Sequence, residues 1–261
     1  VSESVNIWQL ASEIKFWIAA AAENVKAHLH DDLQVETKSN RNDLVTNVDK
    51  LTEKHLVGEI RRAYPQARIV GEEGFGDQVD DLTGLVFFVD PIDGTMNFVK
   101  EKENFAIMIG AYLDGVGLVG VIMDVVAGNI FWGGPELGVY KNELALPKPK
   151  NLNLADGLLG VSGPLLRKDV RHMATAVGQS SGARIIGSAG IEFTKVLQGI
   201  ENGYVSHLMP WDFAAGKVMA ETLGLLVTDI DGTPLSMLSS KIVLIGTERT
   251  HAQIVALQQQ D

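Results

Sequence analysis

The chain has 261 residues, 46% of them hydrophobic and 21% charged, so it can bury a substantial core and is not a disordered sequence. Its formal charge of −11 argues against nucleic acid as the main partner, which calls for a basic face, and the absence of cysteine excludes disulfides, zinc–thiolate sites and cysteine nucleophiles.

Residues 4–29 repeat Ile7, Leu10/Ala11, Ile14, Trp17/Ile18, Ala21, Val25 and Leu29 at helical spacing and predict one long amphipathic helix. Its most apolar stretch, Phe16 to Ala22, lies between Lys15 and Glu23 and is far too short to span a bilayer. With no basic leader or cleavage pattern, a cytoplasmic protein with no membrane partner is the expectation. A second helix is predicted from about Lys50 to Ala63, stopped before Pro65. Arg68–Gly71 reads as a short strand leading into Glu72-Glu73, and Gly84–Val89 as a buried strand. Phe105–Leu113, Gly117–Val126 and Asn129–Trp132 then read as a meander with turns at Asp114-Gly115 and Ala127–Asn129.

Pro147-Lys148-Pro149-Lys150 is the best internal boundary, separating an N-terminal α+β half (1–146) from a C-terminal α/β half (147–261). In the second half Leu158–Ser162, Arg184–Gly187, Leu225–Thr228 and Ile242–Ile245 read as strands, and Ile191–Gln198 and Phe213–Leu223 as helices closed by glycines. The class is mixed α/β (α+β).

The most informative run is Val89-Asp90-Pro91-Ile92-Asp93-Gly94-Thr95-Met96-Asn97-Phe98. A buried strand delivers two carboxylates into a turn enforced by proline and glycine, an arrangement suited to a hard divalent cation. Asp49, Glu72 and Asp212 also lie where strands end or helices begin. If those ends converge, Glu72, Asp90, Asp93 and Asp212 form an all-oxygen cage selecting Mg²⁺, Mn²⁺ or Ca²⁺, and so many carboxylates call for more than one cation. Each acid also has an ordinary structural role open to it. Asp90 and Asp93 suit a turn, Asp49 closes a capping box with Thr46, Asp212 caps the Phe213 helix, and Glu72-Glu73 suits a solvated loop.

Five blocks together carry a resemblance: Asp43-Leu44-Val45-Thr46-x-x-Asp49, Gly71-Glu72-Glu73, Asp90 through Phe98, Gly187-Ser188-Ala189, and Trp211-Asp212-x-Ala214-Ala215-Gly216. Over almost its whole length the chain resembles the inositol monophosphatase family, part of the lithium-sensitive, magnesium-dependent phosphatases that include fructose-1,6-bisphosphatases. The resemblance implies a layered αβαβα sandwich, a homodimer, and hydrolysis of small phosphorylated metabolites by a metal-activated water. It implies two or three Mg²⁺ ions, with Mn²⁺ as a substitute and Ca²⁺ and Li⁺ as inhibitors. Glu72, Asp90 and the carbonyl of Ile92 would hold the first ion, and Asp90, Asp93 and Asp212 the second, with a third, weaker ion near Glu72. Asp49 and Thr95 match the pair that handles the water, so Asp49, Glu72 and Thr95 are the catalytic candidates. Gly94 and Thr95 N–H groups, Lys38, Gly187, Ser188 and Ala189 match phosphate- or substrate-contacting positions.

In animal members an acidic residue seven positions before the aspartate that follows tryptophan reads the inositol hydroxyls; counting back from Asp212 reaches Val205, which cannot accept a hydrogen bond. A broader specificity is therefore expected, with fructose-1,6-bisphosphate, the 2′-phosphate of NADP and adenosine 3′,5′-bisphosphate as alternatives. Asp229-Ile230-Asp231-Gly232-Thr233 imitates the nucleophile loop of aspartyl-phosphate phosphatases, but too little chain follows it, and a hairpin turn is expected. A non-catalytic metal-binding scaffold is the remaining alternative.

Overall fold

The apolar repeat of the first segment forms α1 (Ile7–Ala27), which begins where the Asn6 side chain accepts from Gln9 N–H and buries Leu10, Ile14, Trp17, Ile18 and Val25. The computed structural model describes residues 5–31, 33–38 and 44–259, so Asp43 of the first motif lies outside the described residues. After α1 come β1 (Val35–Thr37), β2 (Leu44–Thr46), α2 (Asn47–Ala63), β3 (Arg68–Gly71), β4 (Leu85–Asp93) and α3 (Thr95–Lys100). Next are β5 (Ala106–Leu113), β6 (Val116–Asp124), β7 (Asn129–Gly134), β8 (Gly138–Lys141), β9 (Leu144–Ala145), β10 (Leu158–Val161), α4 (Gly163–Arg167) and α5 (Met173–Gln179). The chain closes with β11 (Gly182–Arg184), α6 (Ala189–Leu197), β12 (Glu201–Leu208), α7 (Pro210–Thr222), β13 (Leu226–Asp229), β14 (Lys241–Gly246) and α8 (Glu248–Leu257).

Among the described residues, the strands make a seven-stranded sheet in the order β3-β4-β5-β6-β7-β8-β9, parallel at β3/β4 and otherwise antiparallel. A five-stranded mixed sheet runs β11-β10-β12-β14-β13, and β1 pairs with β2. Strand alternation divides the interior into three cores. Phe87, Val89, Ile107, Ile109 and Val121 face α1 and α2. On the opposite face, Val86, Phe88 and Met108 meet Phe193 of α6 and Phe213 and Met219 of α7, which also cover Tyr204, Val243 and Ile245 of the second sheet. Beyond that sheet, Leu159, Val205 and Leu244 pack on Leu165, Met173, Ile254 and Leu257. The result is an αβαβα sandwich. Helix α7 sits flush on the large sheet because Gly120 has no side chain: a Cβ there would lie 2.1 Å from the Ala215 carbonyl oxygen. No described helix is long and apolar enough to cross a membrane.

Several boundaries differ from the sequence reading. Helix α2 starts at Asn47 rather than Lys50, because Thr46 itself is the cap. The strand expected at 184–187 lies at Gly182–Arg184, since the chain turns at Gly187 (φ +84°) to enter α6. Strands β8, β9 and β12 and helix α8 carry no periodicity strong enough to announce them. The Asp229 segment is a turn next to the β13/β14 pair: its carboxylate accepts from Asp231 N–H at 3.0 Å and from Thr233 N–H and Oγ1 at 2.9 and 2.6 Å.

Candidate active site

The apolar run of β4 carries Asp90 and Asp93 to the sheet's end, where the pairing with β5 slips between them. This bulge brings two residues three apart to one place. Gly94 follows with φ +90°, a left-handed conformation that lets the chain reverse directly into α3. Asp212 arrives from the other side, in the first turn of α7, with its Oδ2 accepting Met209 N–H at 2.8 Å. Carboxylate oxygens of Asp90, Asp93 and Asp212 all lie within 4.8 Å of one another. Along with Glu72, Ile92, Gly94, Thr95 and Gly187, they line a cavity of about 190 Å³.

The electrostatics are those of a crowded, partly dehydrated anion cluster. Burial, and then the charges of Glu72, Asp93 and Asp212, hold Asp90 well above the usual carboxylate range. Burial and the Asp93 charge push Asp212 up to about 7. Glu72 rises to about 8, chiefly by burial, with Asp212 and Glu73 adding to it and Lys38 opposing it. Asp90 Oδ1 is buried and has no hydrogen-bond partner among the described residues. A buried, orphaned carboxylate oxygen among other carboxylates is costly without a cation, so these oxygen-only donors fit Mg²⁺.

Asp49 serves two purposes at once. Its Oδ2 accepts from Thr46 N–H at 2.9 Å and from the Thr46 hydroxyl, completing the capping box of α2. Its Oδ1 accepts from Thr95 Oγ1 at 2.9 Å, and Thr95 Oγ1 also lies 3.1 Å from the Ile92 carbonyl oxygen. Capping and pairing with Thr95 are therefore compatible, and burial raises the Asp49 pKa despite these hydrogen bonds.

The remaining predicted residues are placed less directly. Lys38 Nζ bridges Glu72 at 2.8 Å and Glu73 at 2.5 Å, at the acid side of the cavity. Burial would lower its pKa, but the two glutamates outweigh that and raise it. Gly187 lines the cavity, whereas the Ser188 hydroxyl donates to Asp93 Oδ2 and Ala189 N–H donates to Asp93 Oδ1 at 2.9 Å. Ser188 also caps α6, accepting from Ile191 N–H at 3.2 Å. It supports Asp93 rather than facing the cavity.

A second cavity of about 440 Å³ continues from the first, sharing Asp93, Gly187 and Asp212. Val161, Pro164, Leu165 and Leu208 form apolar wall, and Ser162, Tyr204, Ser206 and His207 add polar groups. Val205 is not among these. Strand alternation turns it into the third core, wholly buried, while Ser206 takes the cavity-facing position. The count from Asp212 thus lands one residue off, on the wrong face of β12.

Two residues of structural weight were given no role in the sequence reading. Glu53, wholly buried, accepts from Glu73 N–H at 2.6 Å and Phe75 N–H at 2.9 Å and so shapes the loop that presents Glu72. Asn97 ties α3 to the second half through Nδ2, which donates to Ile186 O at 2.8 Å and to Asn104 O at 2.9 Å. The helical position of Glu53 on the apolar stripe of Leu56, Val57 and Ile60 was the available signal for its burial.

Comparison with known proteins finds relatives along nearly the whole chain. An inositol-1-monophosphatase of Bacillus subtilis (strain 168) is 40% identical over 253 residues, covering 95% of this chain and 96% of the relative. Inositol monophosphatase II of Staphylococcus aureus superposes with a TM-score of 0.85 and 32% identity in its complex with inositol monophosphate, covering 95% of this chain and 92% of that one. In its complex with 2′-AMP the TM-score is 0.86 and the identity 33%, covering 95% and 93%. The model of the inositol monophosphatase family matches residues 9–261, and the chain belongs to that family.

Proposed function

We propose that this chain is a Mg²⁺-dependent phosphatase of small phosphate monoesters in which Asp90, Asp93, Asp212, Glu72 and the Ile92 carbonyl hold two or three ions. The observation that carries this reading is the convergence of three carboxylates within 4.8 Å, one bearing an orphaned oxygen, beside a cavity that also exposes Thr95. When bound, Mg²⁺ supplies an activated water and positive charge for the phosphate and the leaving oxygen.

The chain's own groups do the rest. Because the Thr95 hydroxyl donates to Asp49, its lone pairs point elsewhere and can accept from the attacking water. Burial of Asp49 favours uptake of the proton that Thr95 passes on. Gly94 and Thr95, at the turn into α3, present N–H groups to the phosphate. Lys38 steadies Glu72 and adds a positive charge to the entrance. Gly187 and Ala189 border the larger cavity, which takes the leaving alcohol.

That cavity bears on substrate choice. Its partly apolar wall, and Ser206 in place of an acid on β12, favour leaving groups less polar than a polyol. The reading is a broad specificity that accepts nucleoside 2′-phosphates beside inositol 1-phosphate, consistent with both ligands in the S. aureus relative. A panel at fixed Mg²⁺ containing inositol 1-phosphate, fructose 1,6-bisphosphate, NADP, 2′-AMP and adenosine 3′,5′-bisphosphate tests it. Release of phosphate from 2′-AMP and inositol 1-phosphate at comparable kcat/KM is expected; release from none of the five would reject the enzyme. Millimolar lithium is expected to inhibit. The same reading makes the protein a cytoplasmic homodimer, supported by family membership, and a monomer mass in light scattering would remove the dimer.

A further inference from the structure

At the wall of the larger cavity, which Glu192 helps to line, lies an acid pair with no part in the chemistry above. Glu192, in the first turn of α6, is 1% exposed, and Glu201, the first residue of β12, is 2% exposed. Neither Glu192 Oε2 nor Glu201 Oε2 meets an N–H group, a hydroxyl or a cation among the described residues. Both converge on Gly160 of β10, where a Cβ would lie 2.6 Å from each oxygen. The missing side chain leaves the space in which the two carboxyl groups meet, each bringing an otherwise unpartnered oxygen to that one point. Two dehydrated carboxylates held this close are compatible only if one carries a proton that the other can accept.

The surroundings agree. Burial raises both groups, and the contact with Glu201 helps push Glu192 up to about 9. Arg184 and Lys195 lie on the Glu201 side and favour its ionised form, whereas the Asp93 charge adds to the pressure on Glu192; burial holds the Tyr204 hydroxyl well above its usual range.

The second oxygen of Glu192 connects this pair to the cavity wall. Glu192 Oε1 accepts from Ile186 N–H at 3.1 Å, and the Ile186 carbonyl accepts from Asn97 Nδ2 at 2.8 Å. A few residues on, the Ser188 hydroxyl and the N–H groups of Ala189 and Gly190 donate to Asp93, the last at 2.7 Å. The stretch from Ile186 to Gly190 is therefore held from two sides, by Asp93 above and by Glu192 below.

We propose that Glu192 and Glu201 share a single proton in a carboxylic acid–carboxylate hydrogen bond, and that this pair is the positioning element for the Ile186–Ala189 wall of the cavity that receives the leaving alcohol. The positioning role rests on the function proposed above for that cavity; the shared proton does not. Glutamine at position 192 keeps both contacts, since its carbonyl accepts from Ile186 N–H and its amide donates to Glu201. Alanine keeps neither.

The test has two arms. In the wild-type protein with ¹³C-labelled glutamate side chains, NMR at pH 7 should show a protonated carboxyl group that Glu192→Gln abolishes and Glu72→Gln leaves in place. Two ionised carboxylates at these positions would overturn the shared proton, whatever the enzyme assays give. In kinetics, Glu192→Ala should lower kcat/KM for 2′-AMP by about tenfold or more, mainly through KM, and Glu192→Gln should restore most of it. An alanine variant with unaltered kcat/KM, or a glutamine variant as impaired as alanine, would overturn the positioning role. Absence of phosphate release by the wild type would reject the proposed function while leaving the NMR result standing.

Discussion

Two buried acid clusters lie within one fold and meet the same physical problem differently. Asp90, Asp93, Asp212 and Glu72 open onto a cavity, and Asp90 Oδ1 is without a hydrogen-bond partner among the described residues. Glu192 and Glu201 are almost wholly buried, Glu192 at the edge of the larger cavity, and their unpartnered oxygens meet at Gly160. The first cluster carries more negative charge than one proton can relieve and has room for an ion. The second has two groups and a neutralising proton within the pair. Asp49 is a third case, held by hydrogen bonds from Thr46 and Thr95. Charge count and access, rather than burial as such, decide what compensates a buried carboxylate.

The sharpest way to break this contrast is to remove one charge from the open cluster. Asp90→Asn is expected to cut turnover by about a thousandfold or more through loss of a metal ligand, while raising the melting temperature of the metal-free protein because an uncompensated carboxylate is gone. Asp93→Asn should lose turnover as severely but melt lower, since an amide cannot accept all three donors from Ser188, Ala189 and Gly190. Phosphate release and circular dichroism melts separate the two; near-normal turnover in either variant removes that residue from the metal site.

Asp49 can be tested through its partner. Thr95→Val should lower kcat by about a hundredfold with little change in KM, and Thr95→Ser should recover much of it. A loss confined to KM would mean that Thr95 binds substrate instead of handling the water.

The pH dependence of stability sharpens the comparison further. Glu72 moves from 4.5 to about 8 and Asp212 from 3.8 to about 7 on folding. The folded metal-free protein thus holds more protons than the unfolded chain between about pH 4 and 8. Stability must therefore fall as pH rises through that window. Melting temperatures in a chelator should drop from pH 5 to pH 9, and saturating Mg²⁺ should flatten the curve. A metal-free protein that melts higher at pH 9 than at pH 5 would contradict the cluster's electrostatics.

The smallest effects concern β12. Val205→Ala should cost about 2 kcal/mol of stability and leave the ratio of kcat/KM for inositol 1-phosphate and 2′-AMP unaltered. Ser206→Glu should shift that ratio toward the polyol by about tenfold. The opposite assignment of effects would place Val205, not Ser206, on the cavity side.

Much of this was legible in advance because it is written in local patterns. The apolar stripe of α1, the Thr46/Asp49 capping box and the apolar run of β4 follow from periodicity and turn chemistry acting within about ten residues. Strand β12 was not legible. Its Glu201, Asn202 and Ser206 are polar, and burial of the first two depends on distant neighbours: Glu192 beside Glu201 at Gly160, and Asn153 and Thr250 bonded to Asn202. Strands β8 and β9 are two to four residues long and owe their existence to pairing along the edge of the large sheet.

By itself the sequence determined which chemistry this protein is equipped for: carboxylates at strand ends, a turn that only proline and glycine shape, and no cysteine or basic face. Hard-cation ligands and turn formers announce themselves by residue type and close spacing, so they need no partner to be recognised. Tertiary structure alone decided that Asp212 meets Asp90 and Asp93, that Ser188 serves Asp93, that Ser206 rather than Val205 faces the cavity, and that Glu192 finds Glu201. Those outcomes depend on which face of a strand or helix is turned toward residues tens of positions away, and a one-residue change of register reverses them.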